Sequence, residues 1–77
     1  QLTLSSSELS FMINSSVEDN FQVYLYDYRG RVILNQSQAV SKGLNTIKFN
    51  NLQLSSGIYM ISIVGKDNVY NTKLYRR

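Results

Sequence analysis

Hydrophobic and polar residues alternate with a period of two along most of the chain, and polar turn residues interrupt the alternation about every ten residues. The clearest alternation covers residues 21–28, where large apolar residues occupy one face and tyrosines occupy the other: Phe21, Val23 and Leu25 against Tyr24, Tyr26 and Tyr28. The whole pattern predicts seven strands, no helix of consequence and an all-β sandwich or barrel.

The same alternation selects the side chains that are expected to form the core. In a sandwich of seven strands, the following residues should point mostly inward: Phe11, Ile13, Phe21, Val23, Leu25, Ile33, Ile47, Phe49, Ile58 and Met60. Residues 58–64 are apolar almost throughout, which predicts a central strand that is covered on both sides.

Two hairpin turns have recognisable signatures. In residues 27–30, Asp27 and Gly30 take the first and fourth positions of a type I turn, and a left-handed Gly30 would form a bulge. Residues 65–68 predict a second hairpin loop of similar kind, and Gly43 is predicted to turn the chain into a further strand. Proline is absent, so the predicted edge strands lack one usual protection against pairing with another chain.

The composition argues against an enzyme. The 77 residues contain no cysteine and no histidine, which removes the thiolate nucleophile, the commonest general base and the commonest zinc ligand. The five carboxylates are scattered, and the adjacent pair Glu18 and Asp19 supplies too few oxygens for a calcium site. We therefore expect no catalytic residue, no metal and no cofactor in a single globular domain that covers residues 1–77.

The net charge of +3 is concentrated at the C-terminus. Three of the eight basic residues (Lys73, Arg76 and Arg77) lie in the last five, so the remainder carries five basic and five acidic residues. A nucleic-acid binder usually spreads its charge over a face, so this distribution does not favour one. The longest apolar run is far too short to span a bilayer.

Four segments, in order, resemble the C-terminal sorting domain of type IX secretion cargo. Residues 24–32 (YLYDYRGRV) resemble the "lyD..Gr.v" element of that family, and residues 43–47 (GLNTI) resemble its "G.n.i" element. Residues 54–59 (LSSGIY) resemble its "L.sGiY" element, and residues 73–77 (KLYRR) its short basic end. The family's usual Asn-Pro pair near the first strand is not found here, and we expect it to lie upstream of Gln1 or to be missing.

The resemblance implies an immunoglobulin-like β-sandwich that carries a Bacteroidota protein across the outer membrane. The implied partners are the outer-membrane secretion translocon, a shuttle protein and a sortase-like peptidase that removes many such domains. The implied location is the periplasm in transit, then the outer membrane and cell surface or the medium. Since the chain begins at Gln1 rather than Met, we expect a module of a longer protein.

The resemblance also selects candidate recognition residues. These are Gly57, Tyr59, Lys73, Leu74, Tyr75, Arg76 and Arg77, with Asp27, Gly30 and Gly43 as turn residues. Gly57 and Tyr59 also have a structural interpretation, in which the glycine permits an unusual backbone and the tyrosine hydroxyl reaches an acceptor at the rim. The final strand, expected to be unpaired, would add to a partner's sheet through main-chain bonds, and its basic side chains would set the orientation.

Other functions remain open from the sequence. The tyrosine stripe of residues 24–28 could belong to a carbohydrate-binding or adhesive module, although such a stripe is more often the half-covered outer face of a sheet. A sorting-type domain could also be retained permanently in a surface or secretion component. Because its final strand lacks proline, the domain is also predicted to form a homodimer by edge-strand pairing or strand exchange.

Overall fold

The structure is a computed structural model that describes residues 2–77, and all of its regular secondary structure is β-strand. Seven strands follow one another along the chain, as the alternation predicts: β1 (Leu2–Leu4), β2 (Leu9–Ser15), β3 (Asp19–Asp27), β4 (Val32–Val40), β5 (Gly43–Phe49), β6 (Gly57–Val64) and β7 (Val69–Arg76). Among these residues no helix is long and apolar enough to cross a membrane.

The strands form two antiparallel sheets. One has the order β1-β2-β5 and the other the order β4-β3-β6-β7. Apolar side chains of both sheets make one continuous core: Leu9, Phe11, Phe21, Val23, Leu25, Val40, Ile47, Phe49, Leu54, Tyr59, Ile61 and Ile63. The all-β sandwich predicted from the sequence is therefore confirmed.

Six of the ten predicted core residues are buried, and Ile13 is half-buried against them. The prediction is wrong for Ile58 and Met60, which keep 37% and 42% of their surface exposed. Leu25 is buried and pairs with Ile61, and antiparallel partners point to the same face of a sheet. The inward residues of β6 are therefore Tyr59, Ile61 and Ile63. The expected cover on both faces is wrong too, because β6 is central in a sheet that packs its core on one side only.

Ile33 is the third misplaced core residue, at 39% exposure, and a β-bulge explains the error. Tyr26 pairs with Val32, whereas Leu25 pairs with Leu34, so Ile33 is an extra residue without a partner in β3. The bulge shifts the alternation of β4 by one position, so that Leu34 packs against the core in place of Ile33.

The turn at residues 27–30 has the geometry that the sequence predicts. Gly30 has a φ of +84° and donates its N–H to the Asp27 carbonyl at 2.9 Å, while Asp27 donates to Arg31 at 3.0 Å. Gly43 also has a positive φ, of +105°. These conformations are strained for residues with a Cβ, which explains both glycines.

The loop of residues 65–68 joins β6 to β7 as a hairpin, but its predicted similarity to the first turn is wrong. None of its residues has a positive φ, and Gly65 donates to the carbonyl of Asn68 at 2.7 Å. Glycine is required there by space, since a Cβ on Gly65 would lie 2.5 Å from Cε1 of Phe21.

Candidate functional site

Three of the four family-like segments lie side by side at one end of the four-stranded sheet. Asp27 of β3 pairs with Tyr59 of β6, and Tyr59 pairs with Leu74 of β7. The last strand is hydrogen-bonded to β6 along its whole length, so the expectation of an unpaired final strand is wrong. β7 is an edge strand: within residues 2–77, β6 is its one hydrogen-bonded neighbour in the sheet, and β1 of the other sheet lies near its other side.

Gly57 and Tyr59 shape the entry to β6. Gly57 has a φ of +149°, a conformation that residues with a Cβ rarely adopt, although a Cβ there would meet no other atom within 4 Å. Tyr59 is 5% exposed and its hydroxyl donates to the Ser55 carbonyl at 2.7 Å. Both residues therefore fit the structural interpretation, in which the tyrosine joins the core to the preceding turn.

Arg76 fastens the end of β7 to the same turn. Its Nη1 donates to Oγ of Ser56 at 3.0 Å and to the carbonyl of Arg77 at 2.6 Å. The side chain is half-buried, and its Nε has no hydrogen-bond partner among residues 2–77. Leu74 points to the same side and packs against the core. These two side chains hold the basic C-terminal segment in place rather than leaving it as a free tail.

The remaining residues of the C-terminal segment are displayed on the surface. Lys73 and Tyr75 alternate with Leu74 and Arg76, so they lie on the outer face of the sheet, and Tyr75 is 69% exposed. Arg77 is exposed at the end of the strand. A groove between β1 and β7 is lined by Leu4, Ser5 and Ser6 and by residues 75–77.

The hairpin beside the C-terminal segment is organised by the carboxylate of Asp27. Oδ1 accepts the backbone N–H groups of Arg29 at 2.9 Å and Arg31 at 3.0 Å, and Oδ2 accepts Nε of Arg31 at 2.8 Å. Desolvation raises the pKa of Asp27, but the hydrogen bonds from Arg31 and Arg29 and the charge of Arg31 outweigh it, so the pKa lies below its ordinary value of 3.8.

The other sequence candidates lie elsewhere. Gly43 pairs with Ser15 in the three-stranded sheet, at the end where β3 begins. Tyr24 and Tyr26 are half-buried on the outer face of the four-stranded sheet, while Tyr28 is exposed in the hairpin. This arrangement confirms the half-covered tyrosine face.

The oxygens of Asp19 are already used in local hydrogen bonds. They accept the backbone N–H groups of Asn20 at 2.7 Å and Lys66 at 2.9 Å. Across residues 2–77, no group of three or more Asp, Glu, His or Cys side chains is placed to hold a metal ion.

Sequence reasoning missed the two serines of the turn before β6, which accept hydrogen bonds from two of the candidate residues. Ser55 accepts from Tyr59, and Ser56 accepts from Arg76, so the turn before β6 joins both candidate segments. Their position beside a glycine at the start of a strand was the only available signal, because the acceptor of a hydroxyl or guanidinium cannot be read from local spacing. Gly65 was likewise taken as a turn residue rather than as a site of close packing.

The fold and this end of the sheet define a class of protein: a small β-sandwich that presents a folded C-terminal strand and a basic hairpin. A family model described as the secretion system C-terminal sorting domain matches residues 6–76. No curated protein and no solved structure matches the chain. The chain belongs to the family of type IX secretion system C-terminal sorting domains. The family consists of sorting-signal domains and is not a catalytic family. Membership in it implies export to the cell surface or secretion.

Proposed function

We propose that this domain, as one unit of residues 1–77, directs its parent protein through the periplasm and across the outer membrane, and that residues 73–77 are the element its receptor reads. The family supports a sorting role in type IX secretion, which involves the secretion machinery. The observation that carries the proposal is the arrangement of the last five residues. Leu74 and Arg76 are anchored, while Lys73, Tyr75 and Arg77 are presented to solvent on an edge strand.

A receptor could use this arrangement in two ways at once. A strand of the receptor pairs with the outer edge of residues 73–77 through main-chain hydrogen bonds, which give affinity without depending on sequence. The charges of Lys73 and Arg77 then fix the orientation of the complex and exclude wrong partners. Gly57 and Tyr59 contribute indirectly, by holding the adjacent strand β6 in place. The proposed receptors are the outer-membrane translocon and a shuttle protein, with a sortase-like peptidase acting on the exported protein.

The carbohydrate-binding alternative has less support. The rings of Tyr24 and Tyr26 are nearly parallel, with 19° between their planes and 6.1 Å between their centres. Each ring therefore turns a face towards its neighbour, which leaves less flat aromatic surface for stacking on a sugar.

The test is an export assay in a Bacteroidota strain with a type IX system. A periplasm-competent reporter is fused to the full domain, to a version ending at Thr72, and to Lys73→Ala/Arg76→Ala/Arg77→Ala. We expect surface reporter from the full domain only, with both altered versions retained in the periplasm while remaining folded. Normal surface yield from the folded version ending at Thr72 would show that residues 73–77 are not the signal. Normal yield from the triple variant alone would assign recognition to the backbone of the strand.

A further inference from the structure

The outer face of the four-stranded sheet carries apolar side chains at both ends, with Val64 and Val69 at one end, a larger group beside the hairpin at the other, and mostly polar side chains between them. One row of cross-strand neighbours contains Tyr26, Met60 and Lys73, and Ile58 pairs with Tyr75 beside it. The next row on the same face contains Tyr24, Ser62 and Asn71, and polar side chains of β3 and β4 extend it: Gln22, Asn35 and Ser37. We call the group Tyr26, Tyr28, Ile58, Met60 and Tyr75 the apolar patch.

The apolar patch borders a groove of about 580 Å³ between the hairpin of residues 27–30 and the strands β6 and β7. Tyr26, Tyr28 and Gly30 line one side, and Ile58, Met60 and Lys73 line the other. Met60 is 42% exposed although it lies on a central strand, so the groove leaves a large thioether side chain open to solvent. Exposed methionine and tyrosine side chains grouped in this way are typical of protein-binding surfaces.

Positive charges outnumber negative ones around the groove, although Asp27 is among the residues that line it. Within residues 2–77, Lys73 forms no ion pair. Arg29 lies over the ring of Tyr28, with its Cζ 5.5 Å from the ring centre. The one carboxylate at this end of the sheet, Asp27, is paired with Arg31. The other acidic residues of this sheet and its loops lie at the opposite end: Glu18, Asp19 and Asp67. A ligand at the groove therefore meets apolar surface bordered by unneutralised positive charge.

We propose that the apolar patch and Lys73 form a docking groove for an acidic segment of a protein partner. An apolar side chain of the partner lies between the hairpin and Met60, and a carboxylate of the partner pairs with Lys73. This inference rests on the proposed function, since it places the partner in the export machinery. It gives the partner a second contact surface on the outer sheet face, besides the contact at the edge of β7.

Two other occupants fit the observations less well. A second copy bound through this same patch would bring two basic ends together, which repel. A membrane of anionic lipid is usually bound by four to eight clustered basic residues, whereas Lys73 is the basic residue that lines this groove. An acidic protein segment needs only one or two such charges, because apolar contact supplies the rest of the affinity.

The first arm of the test is the export assay with matched substitutions. Met60→Glu and Lys73→Glu change one cross-strand pair of the groove, and Ser62→Glu and Asn71→Glu change the next pair on the same face. All four sites lie on the outer sheet face, and circular dichroism confirms that each variant is folded. We expect the two groove variants to lose about tenfold or more of the surface reporter, and the two controls to stay within about twofold of the unaltered domain.

The second arm measures binding by amide chemical shifts of the isolated 77-residue chain. The probes are synthetic peptides of about ten residues that alternate Leu with Glu, Ser or Lys, together with vesicles of phosphatidylglycerol. We expect only the Leu-Glu peptide to shift the amides of residues 26–30, 58–60 and 73–75, and Lys73→Glu to abolish those shifts. Equal binding of the Leu-Ser peptide, binding of vesicles alone, or shifts that grow with protein concentration without peptide would each overturn the inference.

The two arms separate this inference from the proposed function. If the unaltered domain is exported and the groove variants are exported equally well, the docking groove is wrong and the sorting function stands. If the unaltered domain is not exported, the sorting function fails, and the peptide arm alone decides whether the groove binds acidic segments.

Discussion

At the scale of single residues, a buried hydrogen bond decides which tyrosine hydroxyl contributes to stability. Tyr59 pairs with Leu74 and faces the core, whereas Tyr75 pairs with Ile58 and faces solvent. Tyr59→Phe removes the donor to the Ser55 carbonyl and should lower the free energy of unfolding by about 1 kcal/mol. Tyr75→Phe is the matched control and should change it by less than about 0.5 kcal/mol. Urea denaturation of the two variants makes the comparison, and equal losses would contradict the role given to the hydroxyl.

Gly30 and Gly65 are required for different physical reasons, and substitution of each by asparagine distinguishes the two reasons. Asparagine tolerates a positive φ, so Gly30→Asn should cost less than about 1 kcal/mol of unfolding free energy. Gly65→Asn places a side chain where Phe21 already lies and should cost about 1–3 kcal/mol. Thermal unfolding monitored by circular dichroism ranks the two variants, and the reverse order would refute this explanation.

The carboxylate of Asp27 should make stability depend on pH in the acid range. Its pKa is lower in the folded state than the ordinary 3.8, so between the two values the unfolded chain binds more protons. The contribution is complete above the unfolded pKa and is lost as the pH falls through the folded pKa. We expect Asp27→Asn to flatten the corresponding part of the stability curve below about pH 4 without altering its shape near neutrality. Urea midpoints measured from pH 2 to 7 test this, and an unchanged acid slope in the variant would contradict it.

At the scale of elements, β7 both completes the sheet and displays the candidate signal. Ending the chain at Thr72 removes the half-buried Leu74 and the contact between Arg76 and Ser56, and leaves the first half of β6 unpaired on one edge. We expect a loss of about 1–3 kcal/mol of unfolding free energy, which a domain of this size can survive. Chemical denaturation of the full and shortened chains measures the loss. A shortened chain that is unfolded in buffer would show that β7 is essential to the fold.

At the scale of the whole molecule, the open strand edges determine how the domain associates with itself. The sequence pointed to the final strand, but β7 carries Lys73 and Arg76, and these like charges repel when the β7 strands of two copies pair with each other. The opposite edge strand, β4, has nine residues without a charge or a proline. We therefore expect any homodimer to pair through β4, so that Gln36→Lys suppresses association and Asn71→Lys on β7 does not.

Sedimentation velocity over a wide range of protein concentration tests this prediction. Suppression by Asn71→Lys instead of Gln36→Lys would return the interface to the final strand. A sedimentation coefficient that stays at the monomer value for the unaltered chain would refute edge pairing altogether.

Local patterns determined much of this protein. The strand count, the facing of β3 and the turn at residues 27–30 follow from alternation and from glycine and aspartate chemistry, which act between near neighbours in the chain. The family could also be recognised from the sequence, because its short segments occur there in the family's order and spacing. In contrast, residues 58–64 are apolar at nearly every position, so alternation provides no basis for choosing which half of them faces inward.

Tertiary structure settled that choice and the composition of the candidate site. The inward face of β6 is fixed by its pairing with β3, which lies more than thirty residues earlier in the chain, and the face of Ile33 is fixed by a one-residue bulge. The same pairing brings the hairpin next to the C-terminal segment, so that Tyr28 and Lys73 line one groove. Such contacts depend on the register of distant strands, which is selected by burial of the whole core and not by any local sequence.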